Sequence, residues 1–220
     1  MIKLLNKYHA HLGILTVVTK ESVENVKDIL DFYIENNIHN IKLSPCVVVD
    51  NDGNVDEKIS ISPKEYGQFL SLFFDLWLDN EEANIAVENF DELIKKKYNL
   101  SFCHSHKLCY NAFIVLPSGN IYSCDKFFKN EAHLLGHVDT GFQKILTNSR
   151  FNTFTSAVNK LSQYYIDCKF FKLCGGGCSY HCWIMKRNFK FKQYFCTSNK
   201  QFFTHVDKVL ESMNINIENK

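Results

Sequence analysis

In the run Cys168-Lys-Phe-Phe-Lys-Leu-Cys174-Gly-Gly-Gly-Cys178, three cysteines fall within eleven residues. The chain has nine cysteines in all, and the others beyond residue 100 are Cys103, Cys109, Cys124, Cys182 and Cys196. Thiolates at this density are reactive, so they bind metal, form disulfides or lie buried. Because disulfides are rare in the cytoplasm and an odd number of cysteines cannot pair completely, the pattern favours metal binding.

Composition and charge narrow the function classes. The 25 Lys and Arg nearly balance the 24 Asp and Glu, so the formal net charge is +1. A nucleic-acid-binding protein is expected to carry a basic surplus, so we predict no nucleic-acid partner. No apolar run approaches the roughly 20 residues that span a bilayer, and residues 1–18 lack the small-residue cleavage site of a signal peptide. We therefore expect a folded cytoplasmic protein without a membrane partner.

The first hundred residues alternate between strand-like and helical patterns. Residues 14–18 and 38–44 are strand-like and flank a helical spacing over 22–36, which predicts a parallel βαβ unit. Ser62, Pro63 and Glu65 have the order of a helix N-terminus with a capping box. Further expected elements are a helix from Ser62 to Leu78, a strand over 85–87 and a helix over 91–98.

A change of pattern near residue 99 marks the boundary between two parts of the chain. Beyond it we expect a β-hairpin over 112–124, two short helices between 141 and 161, a loop-rich cysteine segment over 168–196 and a terminal helix over 201–213. The predicted fold class is α/β for the first part and α+β overall.

The cysteine spacing is typical of iron–sulfur ligation. Each cubane cluster needs four thiolates or close substitutes, and Gly175-Gly-Gly177 permits positive φ and a nest of N–H groups that faces anionic sulfur. Zinc is an alternative, because His104 and His106 lie between two cysteines, but structural zinc sites use narrower cysteine pairs. Inert buried thiols are a third interpretation, and the one we adopt for the isolated Cys46.

The order of cysteines and glycine resembles the SPASM domain of radical SAM enzymes, a C-terminal extension that carries auxiliary [4Fe–4S] clusters. The family pattern places a glycine after the second cysteine and a third cysteine after a gap of four. The matching residues are Cys109, Gly119, Cys124, Cys168, Cys174, Cys178 and Cys196. Within the family, the chain is most similar to anaerobic sulfatase-maturing enzymes and related peptide maturases, which share an early cysteine, here Cys103, and an aspartate after the third, here Asp125.

The resemblance implies two auxiliary clusters. The ligands of the first would be Cys103, Cys109, Cys124 and Cys178, and those of the second Cys168, Cys174 and Cys196. The family pattern has a further cysteine at position 165, where this chain has Tyr165. The fourth ligand of the second cluster is therefore open among Cys182, Asp167, Tyr165, water and a substrate group.

Radical SAM enzymes contain a partial (β/α)6 barrel, and residues 1–60 resemble its last two βα units. Residues 61–99 would be connecting helices, 100–200 the SPASM iron–sulfur domain and 201–220 a C-terminal helix. The family's Cys-x3-Cys-x2-Cys loop, which holds the cluster that cleaves S-adenosylmethionine, does not occur in these 220 residues. We expect a fragment, a truncated gene product or half of a split enzyme, and an incomplete barrel predicts self-association through the edge of residues 14–18.

The resemblance implies radical oxidation of a peptide or protein side chain, as in sulfatase maturation, with Asp125 as the general base. The chain alone should bind clusters without turnover, so its status as an enzyme stays open. Expected partners are a peptide or protein substrate and either the missing half or a separate radical SAM protein. The alternatives are a non-catalytic iron–sulfur module for electron transfer or peptide binding, and a zinc-stabilised structural domain.

Overall fold

The computed structural model describes residues 2–8, 12–50, 54–80, 83–95, 113–128, 130–163, 166–185 and 193–213. The chain divides into two compact units, Met1–Leu100 with Phe195–Lys220, and Ser101–Tyr194. Predictions for Cys103, His104, His106, Cys109 and Tyr165 lie outside the described residues. None of the helices in the described parts of the chain is both long and apolar enough to cross a membrane.

The first unit contains a three-stranded parallel sheet in the order β1-β2-β3. Its strands are β1 (Gly13–Val18), β2 (Asn40–Pro45) and β3 (Ala86–Val87), and helix α1 (Ile2–Lys7) precedes them. β1 pairs with β2 from Gly13 opposite Asn40 to Val18 opposite Pro45, and β2 continues to β3. The predicted parallel βαβ unit is therefore confirmed, with helix α2 (Val26–Glu35) between β1 and β2.

The two faces of this sheet differ in burial. Ile41 and Leu43 of β2 are buried, whereas Leu15 and Val17 of β1 are 61% and 53% exposed. Side chains alternate between the faces of a strand, so one face of β1 is apolar and exposed. β1 is also an edge strand of its sheet.

Helix α3 (Pro63–Leu78) has the predicted start and end. The Glu65 N–H donates to Ser62 Oγ at 3.2 Å and the Ser62 N–H donates to the Glu65 carboxylate at 2.8 Å, which closes the capping box. Helix α4 (Glu88–Lys95) begins three residues before the predicted one. The helix begins at the residue after the end of β3, so no loop connects the strand with the helix.

An asparagine amide extends the sheet beyond the two residues of β3. The Leu43 N–H donates to Asn89 Oδ1 at 2.8 Å, and Asn89 Nδ2 donates to the Leu43 carbonyl at 3.0 Å. The side chain thus supplies one donor and one acceptor, as a neighbouring strand would. It satisfies β2 backbone where strand pairing has ended.

The last helix, α9 (Cys196–Ser212), packs on α3 within the first unit. Phe202 of α9 lies 5.9 Å from Phe74 and 5.5 Å from Phe90 between ring centroids. A Cβ on Gly67 would lie 3.1 Å from the Ser198 Cα, so glycine permits this close approach. The predicted helix over 201–213 is confirmed, but its start is wrong because α9 begins five residues earlier, at Cys196.

The second unit contains an antiparallel sheet and four short or medium helices among its described residues. Its strands are β4 (Ile114–Val115), β5 (Asn120–Tyr122) and β6 (Leu134–His137), and its helices are α5 (Phe142–Leu146), α6 (Ser149–Gln163), α7 (Phe171–Cys174) and α8 (Ser179–Met185). The predicted hairpin and the predicted pair of helices between 141 and 161 are confirmed. The third strand was not predicted, and the cysteine segment expected to be loop-rich contains two short helices.

Candidate metal centre

Three glycines separate helices α7 and α8. Gly175, Gly176 and Gly177 have φ of 57°, 89° and 81°, all in the left-handed range that L-residues avoid. The Gly177 N–H donates to the Cys174 carbonyl at 2.8 Å, and a Cβ on Gly177 would lie 2.7 Å from the side chain of Gln193. The positive φ predicted for these glycines is therefore confirmed, and it places Cys174 and Cys178 at the two ends of a tight turn.

Gly119 occupies the turn between β4 and β5, and its conformation explains its place in the cysteine pattern. Its φ is +86°, and its N–H donates to the Leu116 carbonyl at 2.8 Å. A Cβ here would lie 2.2 Å from Nε2 of His137, whose Nε2–H donates to the Ser118 carbonyl at 2.9 Å. The imidazole therefore fills the space that any side chain at position 119 would need. The same turn leads into β5, which ends two residues before Cys124.

Cys124 and Cys178, two predicted ligands of one cluster, interact electrostatically. Cys124 is half-buried, and its thiol donates to Asp125 Oδ1 at 3.1 Å. Burial, this hydrogen bond and the charge of Cys178 raise the pKa of Cys124 to about 12. Without metal the thiol is protonated at neutral pH, and metal binding would displace the proton because a coordinating thiol is deprotonated.

Aromatic side chains surround Cys124. The ring of Phe127, which is 3% exposed, stacks on His133 at 3.8 Å and meets Tyr180 and Trp183 edge-on at 5.3 and 5.7 Å. Cys124 packs against this cluster. Burial lowers the pKa of His133, so its neutral form is favoured against Phe127. An apolar shell of this kind restricts water at a metal site and influences its potential.

The other predicted ligands lie on the two units. Cys168 and Cys174 belong to the second unit, whereas Cys196 is the first residue of α9 in the first unit. Cys182 is buried, and its thiol donates to the Gly176 carbonyl at 3.8 Å. Within the described ranges, no group of three or more His, Cys, Asp and Glu side chains converges as a metal site. Two of the predicted ligands, Cys103 and Cys109, lie outside those ranges.

Asp125 and Cys46 differ in their setting. Asp125 is exposed and begins a 3-10 helix that ends at Phe127. Cys46 is half-buried at the end of β2, and its N–H donates to the Val18 carbonyl at 2.8 Å. The sequence did not single out His137 or Phe127, because no spacing rule connects either residue with Gly119 or Cys124.

Comparison with known proteins identifies the second unit's cysteine pattern. Residues 103–179 match the model of SPASM, an iron–sulfur cluster-binding domain. The chain is 27% identical to a cysteine-type anaerobic sulfatase-maturating enzyme of Clostridium novyi, over 95% of this chain and 59% of that protein. It is 25% identical to a serine-type anaerobic sulfatase-maturating enzyme of Bacteroides thetaiotaomicron, over 100% of this chain and 57% of that protein.

A solved structure agrees with these relatives. The structure of histidine-tagged anSMEcpe with bound AdoMet has a TM-score of 0.85 and 25% sequence identity, over 99% of this chain and 58% of that one. The predicted resemblance to SPASM-containing radical SAM enzymes of the sulfatase-maturing type is thus confirmed. The chain spans less than two thirds of the length of each of these proteins.

Proposed function

We propose that this chain is the auxiliary-cluster-binding part of a radical SAM enzyme that oxidises a peptide or protein side chain, with sulfatase maturation as the closest chemistry. The observation that carries the proposal is that Cys124 and Tyr180, two residues after Cys178, pack against the same aromatic cluster, and that both cysteines lie in a segment that matches an iron–sulfur domain. The parallel sheet of the first unit would be the last two βα units of a partial (β/α)6 barrel. The cytoplasm, where thiols stay reduced, is the compartment that suits such ligands.

The cysteines of the chain suit two [4Fe–4S] clusters. Cys103, Cys109, Cys124 and Cys178 would hold the first, and Cys168, Cys174 and Cys196 would hold the second. Cys182 is our proposed fourth ligand of the second cluster, since its buried thiol contacts the glycine turn between Cys174 and Cys178. When bound, an auxiliary cluster would supply a one-electron acceptor. Phe127 and its neighbouring rings would keep water from the cysteine sulfurs.

Asp125 is our proposed general base. In the metal-free state one of its oxygens accepts a hydrogen bond from the Cys124 thiol. Coordination of the Cys124 sulfur would displace the thiol proton, and the carboxylate oxygen of Asp125 would then be available to accept a proton from the substrate carbon or heteroatom. Asp125 is exposed, which leaves it accessible to a peptide side chain.

The 220 residues contain no Cys-x3-Cys-x2-Cys motif. We therefore propose that cleavage of S-adenosylmethionine depends on residues outside this sequence, in the same polypeptide or in a partner, and that these 220 residues alone do not turn over. A non-catalytic iron–sulfur module, for electron transfer or for holding a peptide, is the second candidate. A zinc-stabilised structural domain is the third.

Metal analysis separates these functions. Iron, acid-labile sulfide and zinc are measured on anaerobically reconstituted protein, on Cys124→Ala and Cys178→Ala, and on Cys46→Ala as the matched control. We expect about eight iron and eight sulfide per chain, with about four of each lost in the first two variants and none in the control. Zinc without sulfide would overturn the iron–sulfur proposal and leave a structural metal domain. Equal loss in all three variants would overturn the ligand assignment.

The second candidate is tested by supplying the Cys-x3-Cys-x2-Cys motif on a separate polypeptide. The reconstituted chain is mixed with a polypeptide that carries the Cys-x3-Cys-x2-Cys motif and with a cysteine-containing peptide. The enzyme proposal is supported if oxidation of the peptide needs both proteins and if Asp125→Asn abolishes that oxidation while the variant's iron content stays unchanged. Equal turnover with and without this chain supports the non-catalytic module.

A further inference from the structure

Lys126 belongs to the short segment that carries one proposed ligand of the first cluster. It lies in the 3-10 helix Asp125–Phe127, which begins directly after Cys124. Burial and the hydrogen bond with Asp125 raise the pKa of the Cys124 thiol, whereas a hydrogen bond from the Lys126 backbone N–H lowers it. An N–H group that faces the sulfur favours the thiolate, which is the form that binds metal. The backbone of Lys126 therefore supports the metal-binding state of Cys124.

The side chain of Lys126 reaches the segment that carries another proposed ligand of the same cluster, Cys178. Its ammonium donates a long hydrogen bond to Nε2 of His181 at 3.5 Å and lies 5.9 Å from the ring centroid of Tyr180. Both partners belong to helix α8, which begins at the residue after Cys178. His181 is buried, and a cation within about 6 Å of an aromatic ring is attracted to its face. Lys126 thus contacts both of these ligand-bearing segments.

We infer that Lys126 is a positioning residue of the first cluster, which holds the segments of Cys124 and Cys178 together before metal binds and raises the reduction potential of the bound cluster. The inference rests on the proposed function, because only a cluster-binding site gives the residue this role. Charges and hydrogen bonds near the sulfurs are among the features that set a cluster's potential. Reduction adds negative charge, so a neighbouring ammonium favours the reduced form. The Asp125 carboxylate has the opposite effect, so the test changes Lys126 and keeps Asp125.

Iron retention and a redox titration of the reconstituted chain test this inference. A Cys168→Ala/Cys174→Ala background removes two proposed ligands of the second cluster, so that the first cluster is measured alone. Lys126→Met removes the charge and keeps the length of the side chain, and Lys126→Arg keeps the charge. Lys144→Met is the matched control, because it removes an exposed charge of the same unit. We expect Lys126→Met to lower the apparent iron affinity, measured by competition with a chelator, about tenfold and to lower the midpoint potential. Lys126→Arg should restore the potential, and Lys144→Met should change neither quantity.

The outcomes separate this inference from the proposed function. An unchanged potential or unchanged iron retention in Lys126→Met overturns the inference and leaves the cluster proposal intact. Equal effects of Lys126→Met and Lys144→Met do the same, as does a potential in Lys126→Arg as low as that in Lys126→Met. If the double-alanine background retains no iron, the lysine variants are compared in the otherwise unaltered chain, where the absence of any shift in potential overturns the inference. Absence of iron and sulfide from the unaltered chain overturns the proposed function itself.

Discussion

Replacing Gly119 by alanine tests why the cysteine pattern contains a glycine. The backbone φ of +86° and the 2.2 Å distance from an ideal Cβ position to His137 Nε2 both oppose any side chain. Left-handed backbone costs about 1–2 kcal/mol, displacement of a packed ring about 1–3 kcal/mol, and loss of the hydrogen bond from His137 to Ser118 about 1 kcal/mol. We therefore expect Gly119→Ala to lower the free energy of unfolding of the second unit by about 3–6 kcal/mol.

The assay is urea unfolding of the anaerobic, metal-loaded chain in a Trp77→Phe background. The chain has two tryptophans, so Trp183 alone then reports on the second unit. The decisive comparison repeats Gly119→Ala in a His137→Ala background, where the ring is gone and only the backbone cost of about 1–2 kcal/mol should remain. Gly141→Ala is a reference for strain alone, because Gly141 has φ of +82° and its Cβ would meet nothing within 4 Å.

The result that would refute this reasoning is an equal cost of Gly119→Ala with and without the His137 ring. The glycine would then serve the turn alone, and the packing of the imidazole would be incidental. An effect in His137→Ala alone as large as that of Gly119→Ala would also contradict the reasoning, since removal of the ring creates no clash.

Three further predictions concern both units. Burial lowers the pKa of His133 in the folded state. The contribution of the neutral ring to stability is therefore complete above about pH 6.5, and it is lost as the pH falls through the lowered pKa. The urea midpoint of unfolding should drop in acid, and it should drop less in His133→Phe. Asn89→Leu should lower the free energy of unfolding by about 1–3 kcal/mol in a thermal melt. The Leu43 N–H loses its acceptor in this variant, whereas the Leu43 carbonyl still accepts from the hydroxyl of Tyr66. Asn89→Asp keeps an acceptor and should cost less, so equal losses in the two variants would refute this account. The chain should self-associate through the exposed edge of β1, and sedimentation should show a monomer after Leu15→Lys; a monomeric wild-type chain would contradict this prediction.

Local signals in the sequence predicted most elements of the fold. The capping box at Ser62 fixes a helix start through two hydrogen bonds between residues three apart, so it can be found without knowledge of the rest of the chain. The strands β1 and β2 were predicted from the strand-like runs 14–18 and 38–44, which are rich in β-branched and aliphatic residues. In contrast, β6 contains Leu134-Leu-Gly-His137, whose two adjacent leucines and glycine give no strand alternation. Its pairing with β5 is a tertiary effect.

In the candidate site, the ligands can likewise be proposed from local sequence signals, whereas their neighbours cannot. Cysteine spacing is the basis on which the metal ligands are proposed, because ligand number and turn geometry constrain the sequence itself. The partners that surround those ligands were not predictable. His137 comes 18 residues after Gly119, and the ring of Phe127 contacts the rings of residues between 133 and 183. Such contacts depend on the packing of distant segments, and a single sequence carries no periodic signal for them.

The first unit is assembled from segments on both sides of the second along the chain, and this has a consequence for synthesis on the ribosome. Helix α3 emerges early, but its partner α9 is translated only after all of residues 101–194. The second unit can therefore complete its fold while the apolar surface around Phe74 and Phe90 still lacks Phe202. During that interval the nascent chain exposes an aromatic surface, so loss of the last helix should make the newly made protein a target for chaperones and proteases.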